Sequence, residues 1–437
     1  MVARLVRNMC TIGLPLLFLL LLVMTGWAQD EPPEPPGAVG RGFRMERVSG
    51  NTGGIVPSAE DPGVGLAVLA DYLVTVIPPP TEYERSRGLG INSDGDVVGR
   101  FYDFNESTEE QENRQAFVWD SVSGASLLPK LVSPGGESSA WGINDDGYAS
   151  GYATDSSGFN HAVRWDTTTL SVPLDLGTLE NPVSVFGESS TGYDLNNLEE
   201  VVGMSDLWND DENFTTFHAF VYEDTDGMQD LGTLVTIYPS WLNGWSIAYE
   251  RTVGGNTVGT ANFLYGPDWV FRPFIHNDTD GMLQLNIDPV YPMGEWYAVA
   301  INEAGQIGGH VIAAENQSLP YYWATPLSTP VEIDMPVGFP YGEIYGVNAS
   351  GKMVGIMWDT DAISGAVEHA FIFDTMNGVQ DLNDLIDPTS GWVLFFARDI
   401  NDSGQIVGYG TYMGEHRAFV LKPNPMPNHI FLPLIAR

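Results

Sequence analysis

The sequence predicts an all-β fold, a seven-bladed β-propeller of four-stranded antiparallel blades closed by an N-terminal strand that completes the last blade. Three observations predict it. A ten-residue phrase recurs seven times, the same strand-like segments follow each copy, and the chain ends are complementary: the seventh repeat lacks a fourth strand, and one orphan strand precedes the first repeat.

Two segments stand before the repeats. Arg4 and Arg7 precede an apolar run from Ile12 to Met24, and Gly26-Trp27-Ala28 places small residues three and one positions before a cut at Gln29, so residues 1–28 read as a secretory signal peptide. The run is shorter than the roughly 20 residues of a spanning helix, and no membrane span is expected after cleavage. Cys10, the single cysteine, leaves with that peptide, which removes disulfides and thiolate chemistry from the expected mature chain. Residues 29–70 open on Asp30-Glu31-Pro32-Pro33-Glu34-Pro35-Pro36 and read as a Pro/Gly-rich acidic linker or disordered arm. The expected product is secreted, extracellular or held at the cell surface.

Composition narrows the partners. With 57 acidic and 18 basic residues the formal net charge is -39, which repels nucleic acid and anionic lipid. A hydrophobic content of 43% and an aromatic content of 11% supply a core, which excludes a solvated acidic tail.

The propeller is expected over residues 71–423, with 424–437 as a C-terminal tail. Its first strand is Tyr72-Leu73-Val74-Thr75-Val76-Ile77, stopped by Pro78. The phrase then appears as Gly90-Ile91-Asn92-Ser93-Asp94-Gly95-Asp96-Val97-Val98-Gly99. Further copies close on Gly151, Gly203, Gly259, Gly309, Gly355 and Gly408, at separations of 52, 52, 56, 50, 46 and 53 residues. Asn caps a tight turn through its own backbone, and Gly three residues later takes the positive φ that closes it. Glu199 stands in that glycine place in the third copy. A left-handed Glu costs about 1–2 kcal/mol, so a different turn is expected there. The fourth copy is degenerate, with Thr252 in the Asn place.

A third strand follows each phrase, as in Gln115-Ala116-Phe117, His161-Ala162-Val163, His218-Ala219-Phe220, His369-Ala370-Phe371 and Arg417-Ala418-Phe419. A fourth follows a short turn, as in Asp175-Leu176-Gly177 and Asp230-Leu231-Gly232. Ring closure explains why the orphan strand and the missing fourth strand occur together, which an open β-solenoid does not.

With Asn-x-x-Gly-x-Val-Val-Gly, His-Ala-Phe and Asp-Leu-Gly-Thr-Leu in order, the chain from Leu73 to Leu421 resembles the HAF-repeat family of bacterial extracellular proteins. The resemblance implies secretion and a propeller-like fold, and it brings no catalytic residues. The tail Ile430 to Arg437 is similar to short C-terminal endings of some bacterial secreted proteins.

Candidate chemistry is sparse. His161, His218 and His369 occupy equivalent places in different blades, which suits hydrogen bonding to backbone better than metal ligation. The turns at Asp224, Asp226, Asp278 and Asp280 carry half of a calcium-loop phrase, so Ca2+ is the one cofactor considered, although tight turns need Asp and Gly anyway. No nucleophile elbow, zinc motif, phosphate loop or dinucleotide fingerprint occurs. Loops from second to third strand and from fourth strand to the next blade emerge on one face, with Trp208, Trp241, Trp245, Trp269, Trp296 and Trp392 on or beside them. Aromatic rings beside carboxylates suit stacking on sugars, the competing role being to cap blade cores at the loop roots. The sequence thus points to a non-enzymatic binder of an extracellular glycan or protein partner. A polysaccharide hydrolase or lyase is the alternative, and a structural cell-surface component the second.

Overall fold

The computed structural model describes residues 70–425, apart from 106, 109, 180–188, 210–213, 235–243, 266–267, 315–316 and 360–366. Blade 1 is β2 (Arg85–Ile91), β3 (Val97–Asn105), β4 (Glu110–Asp120) and β5 (Gly124–Leu127). Blade 2 is β6 (Ser138–Ile143), β7 (Tyr148–Thr154), β8 (Asn160–Asp166) and β9 (Leu174–Gly177). Blade 3 is β10 (Ser190–Leu195), β11 (Val201–Asn209), β12 (Phe214–Glu223) and β13 (Gly227–Gly232). Blade 4 is β14 (Ser246–Arg251), β15 (Thr257–Tyr265), β16 (Asp268–Asn277) and β17 (Gly281–Gln284). Blade 5 is β18 (Glu295–Ile301), β19 (Ile307–Ala314), β20 (Gln317–Trp323) and β21 (Val331–Glu332). Blade 6 is β22 (Tyr341–Val347), β23 (Met353–Trp358), β24 (Glu368–Asp374) and β25 (Gly378–Asp381). Blade 7 combines β26 (Trp392–Ile400), β27 (Ile406–Tyr412) and β28 (Glu415–Pro423) with β1 (Tyr72–Ile77), in the order β1-β28-β27-β26. The orphan strand closes the ring as expected: Tyr72 pairs with Pro423 and Ile77 with Ala418.

Each inner strand carries a β-bulge at one place, three residues before the turn Asn or, in blade 4, Thr252. The extra residues are Leu89, Trp141, Tyr193, Tyr249, Val299, Tyr345 and Arg398. Most of them join one buried cluster drawn from all seven inner strands, which lies around the propeller axis. The bulge also explains the closing glycine. A Cβ on Gly203 would overlap the carbonyl of Thr191, and one on Gly99 that of Arg87, so only glycine lets the second strand run beside the bulged one.

The tight-turn face holds the blades together. Asn92 Oδ1 accepts from the N–H of Asp96, capping its own turn, while Nδ2 donates to the carbonyl of Asn144 in the next blade. The link repeats from Asn144 to Asn196, Asn196 to Thr252, Asn302 to Asn348, Asn348 to Asn401 and Asn401 to Asn92. Only Thr252 breaks the ring. There the N–H of Val253 donates to Glu303 instead, and Arg251, in the place of an apolar residue, reaches back from burial to Glu200 at 2.8 Å.

The expectation of a different turn at Glu199 is wrong. Glu199 has φ 62, its N–H reaches the Asn196 carbonyl as the glycines of the other turns do, and the turn keeps its shape. Arg164 from blade 2 holds this residue by both its carbonyl and its carboxylate, which offsets the strain.

Candidate functional site

The histidines of the His-Ala-Phe phrase are committed to structure, but to side chains where backbone was expected. His161 Nδ1 meets Asp175 at 2.9 Å, His218 meets Asp230 at 2.9 Å, and His369 meets Asp381. The hydrogen bond with Asp175 raises the pKa of His161, and the same bond lowers that of Asp175. Registers place Leu127, Gln284, Glu332 and Val76 at the partner position in the blades that have Gln115, Arg272, Leu319 and Arg417 instead of His; in blade 5 the closing Gly309 pairs with Tyr321, so Leu319 and not Pro320 takes the His place. His and Asp therefore occur together or not at all. The adjacent Ala packs at the seam: the N–H of Ala116, Ala162, Ala219 and Ala418 each reach a buried Ser of the next blade, Ser138, Ser190, Ser246 and Ser86.

The four turn aspartates have protein partners too. Asp224 lies 3.1 Å from Arg164 and Asp278 lies 3.8 Å from Arg251; Asp226 accepts from Thr225, and Asp280 from Asn277 at 3.4 Å. Among the described residues no group of three or more His, Cys, Asp or Glu could hold a metal ion.

The tryptophans divide. Trp296 is fully buried between Tyr321 and Trp323 with Nε1 donating to the Tyr291 carbonyl, and Trp392 is buried against Tyr412 and Phe419. These two are corrected from ligand candidates to core residues, because apolar rings at the roots of inner strands complete the blade interiors. The Trp208 side chain and the whole of Trp241 lie outside the described residues. Trp269 is half-buried in β16 opposite Leu264.

Trp245 is placed differently from Trp296 and Trp392. It precedes β14 at the long-loop end of the axis, half-buried, in an arc of rings: Phe217 at 5.0 Å, Phe271 at 5.2 Å, and then Tyr297 at 6.2 Å from Phe271. The arc continues through His310, Tyr345 and Phe396 to Tyr409, which is half-buried. A single residue could not be picked from sequence for this role, since the arc draws on inner, second and third strands of five blades.

Deeper on the axis lie Asp194, Glu250 and Asp399, two residues before the turn Asn or Thr of blades 3, 4 and 7. Each accepts a backbone N–H across a seam: Asp194 from Arg251, Glu250 from Ile301, and Asp399 from Ile91. Their side chains are half-buried, with protein packed densely around them. That enclosure raises all three pKa values, Asp194 to about 7; the Asp399 charge adds to the rise of Asp194, and the Asp194 and Asp399 charges to that of Glu250. Arg398 lies among them, its guanidinium 4.9 Å from the Tyr345 ring. Elsewhere the position takes Gly90, Gly142, Ala300 and Gly346, and a Cβ on Gly90 would overlap the Trp141 carbonyl.

Fold and site define a closed seven-bladed β-propeller with an arc of aromatic rings at one end of its axis. The chain belongs to the DUF3466 family, described as protein of unknown function, whose model matches residues 76–319. No curated protein matches it. Among solved structures it is similar to the β-propeller domain of the Trilobed protease from Pyrococcus furiosus (11% identity, TM-score 0.46, covering 81% of this chain and 99% of that one). It is also similar to the acylaminoacyl peptidase of Pyrococcus horikoshii (9% identity, TM-score 0.46, 77% of this chain) and spans about half, 52%, of that chain. A third, putative TolB from Agrobacterium tumefaciens, gives 12% identity and a TM-score of 0.37, over 78% of this chain and 99% of that one. No helix of the described residues is long and apolar enough to cross a membrane.

Proposed function

We propose that this protein is exported and acts without catalysis, binding a carbohydrate ligand on the aromatic arc of its long-loop face. The observation that carries the reading is the partly exposed arc Phe217, Trp245 and Phe271 at one end of the axis. Rings 5 to 6 Å apart along one arc present flat apolar faces to sugar C–H surfaces, and base stacking is opposed by the net charge. The signal-peptide pattern of residues 1–28 and the HAF-repeat resemblance support export. Trp245→Ala should weaken binding to a glycan array at least tenfold with an unchanged thermal transition. Glycan binding equal to wild type would sink the reading.

A second reading, polysaccharide hydrolysis, is favoured by one observation: the raised pKa of Asp194, which would keep a proton near neutral pH as a general acid does. Product release from a polysaccharide panel that disappears in Asp194→Asn would establish it in place of simple binding.

A further inference from the structure

The third strand of each blade meets the start of the next inner strand at an equivalent pair of positions. At the seam of blades 1 and 2 the pair is Arg114 and Glu137, an ion pair at 2.6 Å. At the seam of blades 3 and 4 it is Phe217 and Trp245, stacked at 5.0 Å. At the seam of blades 7 and 1 both residues are basic, His416 and Arg85, and Arg87 and Arg417 stand beside them. The seam is close-knit: Arg417 Nη1 donates to the Glu84 carbonyl at 2.8 Å, and Arg87 lies 4.5 Å from the Tyr409 ring. Among the described residues the Arg85 side chain has no ion pair and no hydrogen bond, and its guanidinium lies 4.0 Å from the Phe104 ring. Carboxylates stand at the edge of this group: Glu415, exposed, lies 4.0 Å from Arg417, and Glu84 accepts the N–H of Phe104, the residue whose ring Arg85 covers.

Four basic groups thus converge in a chain with only 18 Lys and Arg and a net charge of -39. The arginine charges on this half-buried rim keep His416 neutral in the empty protein, and an anion between them reverses the sign of that interaction. The patch lies at the end of the aromatic arc, where Tyr409 stacks on Phe396 at 5.1 Å.

We propose that the mouth of the blade 7/blade 1 seam is a carboxylate site, in which Arg85, Arg87 and His416 receive the acidic group of a uronic-acid-bearing oligosaccharide whose neutral rings lie against the half-buried rings of the arc, Tyr409, Phe271, Trp245 and Phe217. The proposal rests on the carbohydrate reading of the arc and narrows its ligand. A long polyanion is disfavoured, because a chain of net charge -39 repels it beyond this seam; one acidic unit on an otherwise neutral oligosaccharide fits both the seam and the net charge. His416 reports on the site, since burial and the charges of Arg85, Arg87 and Arg417 hold its pKa down, to about 4 in the empty protein.

The experiment is calorimetric titration of the full chain with xylo-oligosaccharides carrying one glucuronate and with the same oligosaccharides unsubstituted, alongside NMR titration of His416. The expected result is at least tenfold tighter binding of the glucuronylated ligand, competition by sulfate, a rise of the His416 pKa on binding, and loss of the preference in Arg85→Gln, which removes no hydrogen bond. Equal affinity for both ligands, unchanged in Arg85→Gln, overturns the carboxylate site and leaves the carbohydrate reading standing. Binding of neither, with no movement of His416 in sulfate, overturns both.

Discussion

Asn401 donates from Nδ2 to the carbonyl of Asn92, 2.8 Å away and 309 residues earlier in the chain. That bond joins blade 7 to blade 1 on the tight-turn face, opposite the seam that β1 closes from outside. The same side chain accepts from the N–H of Gln405, so one residue fixes both its own turn and its neighbour blade. A buried group with two partners leaves both unsatisfied when truncated. Asn401→Ala is expected to destabilise by about 1–3 kcal/mol, read as a lowered denaturant midpoint.

The one gap in this ring makes the complementary prediction. The Asn302 carbonyl receives the Gly305 N–H but no amide from blade 4, where Thr252 is too short. Thr252→Asn restores the donor, and a net gain of about 0.5–1.5 kcal/mol is expected. A lowered midpoint would show that blade 4 is spaced for Glu303 and not for the amide.

Glu199 gives a second stabilising substitution. Its φ of 62 lies in the left-handed region that glycine occupies in the other copies. Glu199→Gly relieves about 1 kcal/mol of backbone strain while losing a half-exposed contact to Arg164, worth less, so thermal stability should rise. An unchanged or lower melting temperature would mean that the carboxylate contributes more than the strain.

The phrase Asn-x-x-Gly was legible because a turn is local: its capping oxygen and its positive-φ glycine are three residues apart. Spacing and chain-end complementarity gave the blade number and the closure for a related reason, since each repeat must bury its faces on a neighbour. What the phrase did not reveal was the second job of Asn92 and its equivalents, whose Nδ2 acts across a seam, or the bulge that makes the closing Gly99 obligatory. Both depend on how blades stack. Trp296 and Trp245 show the same limit: both precede or open an inner strand in sequence, and only packing separates the buried one from the one on the arc.

That separation is measurable. Trp296→Ala removes a ring buried on all sides and is expected to cost about 3–5 kcal/mol, whereas Trp245→Ala should cost less than half as much. Chemical denaturation of both variants decides it, and equal losses would return Trp245 to the core.

The axial carboxylates set a pH dependence whose sign can be isolated at Asp194. Burial, with the Asp399 charge added, raises its pKa from the ordinary 3.8 to about 7 in the folded protein. The folded state then holds a proton that the unfolded state has released between those values, so this group's contribution is fully present below pH 4 and falls as pH rises to 7. Other groups act in the same range. His416, held near 4, favours folding increasingly as pH rises from 4 to its ordinary 6.5, and the raised pKa of His161 works the other way above that. A difference between two proteins cancels them. Asp194→Asn keeps an oxygen to accept the Arg251 N–H but has no proton to lose, so its melting temperature relative to wild type should climb steadily between pH 4 and pH 7 and level off above. A difference that stays flat across that range would mean that water solvates the carboxylate as bulk water does, and that Asp194 is ionised throughout.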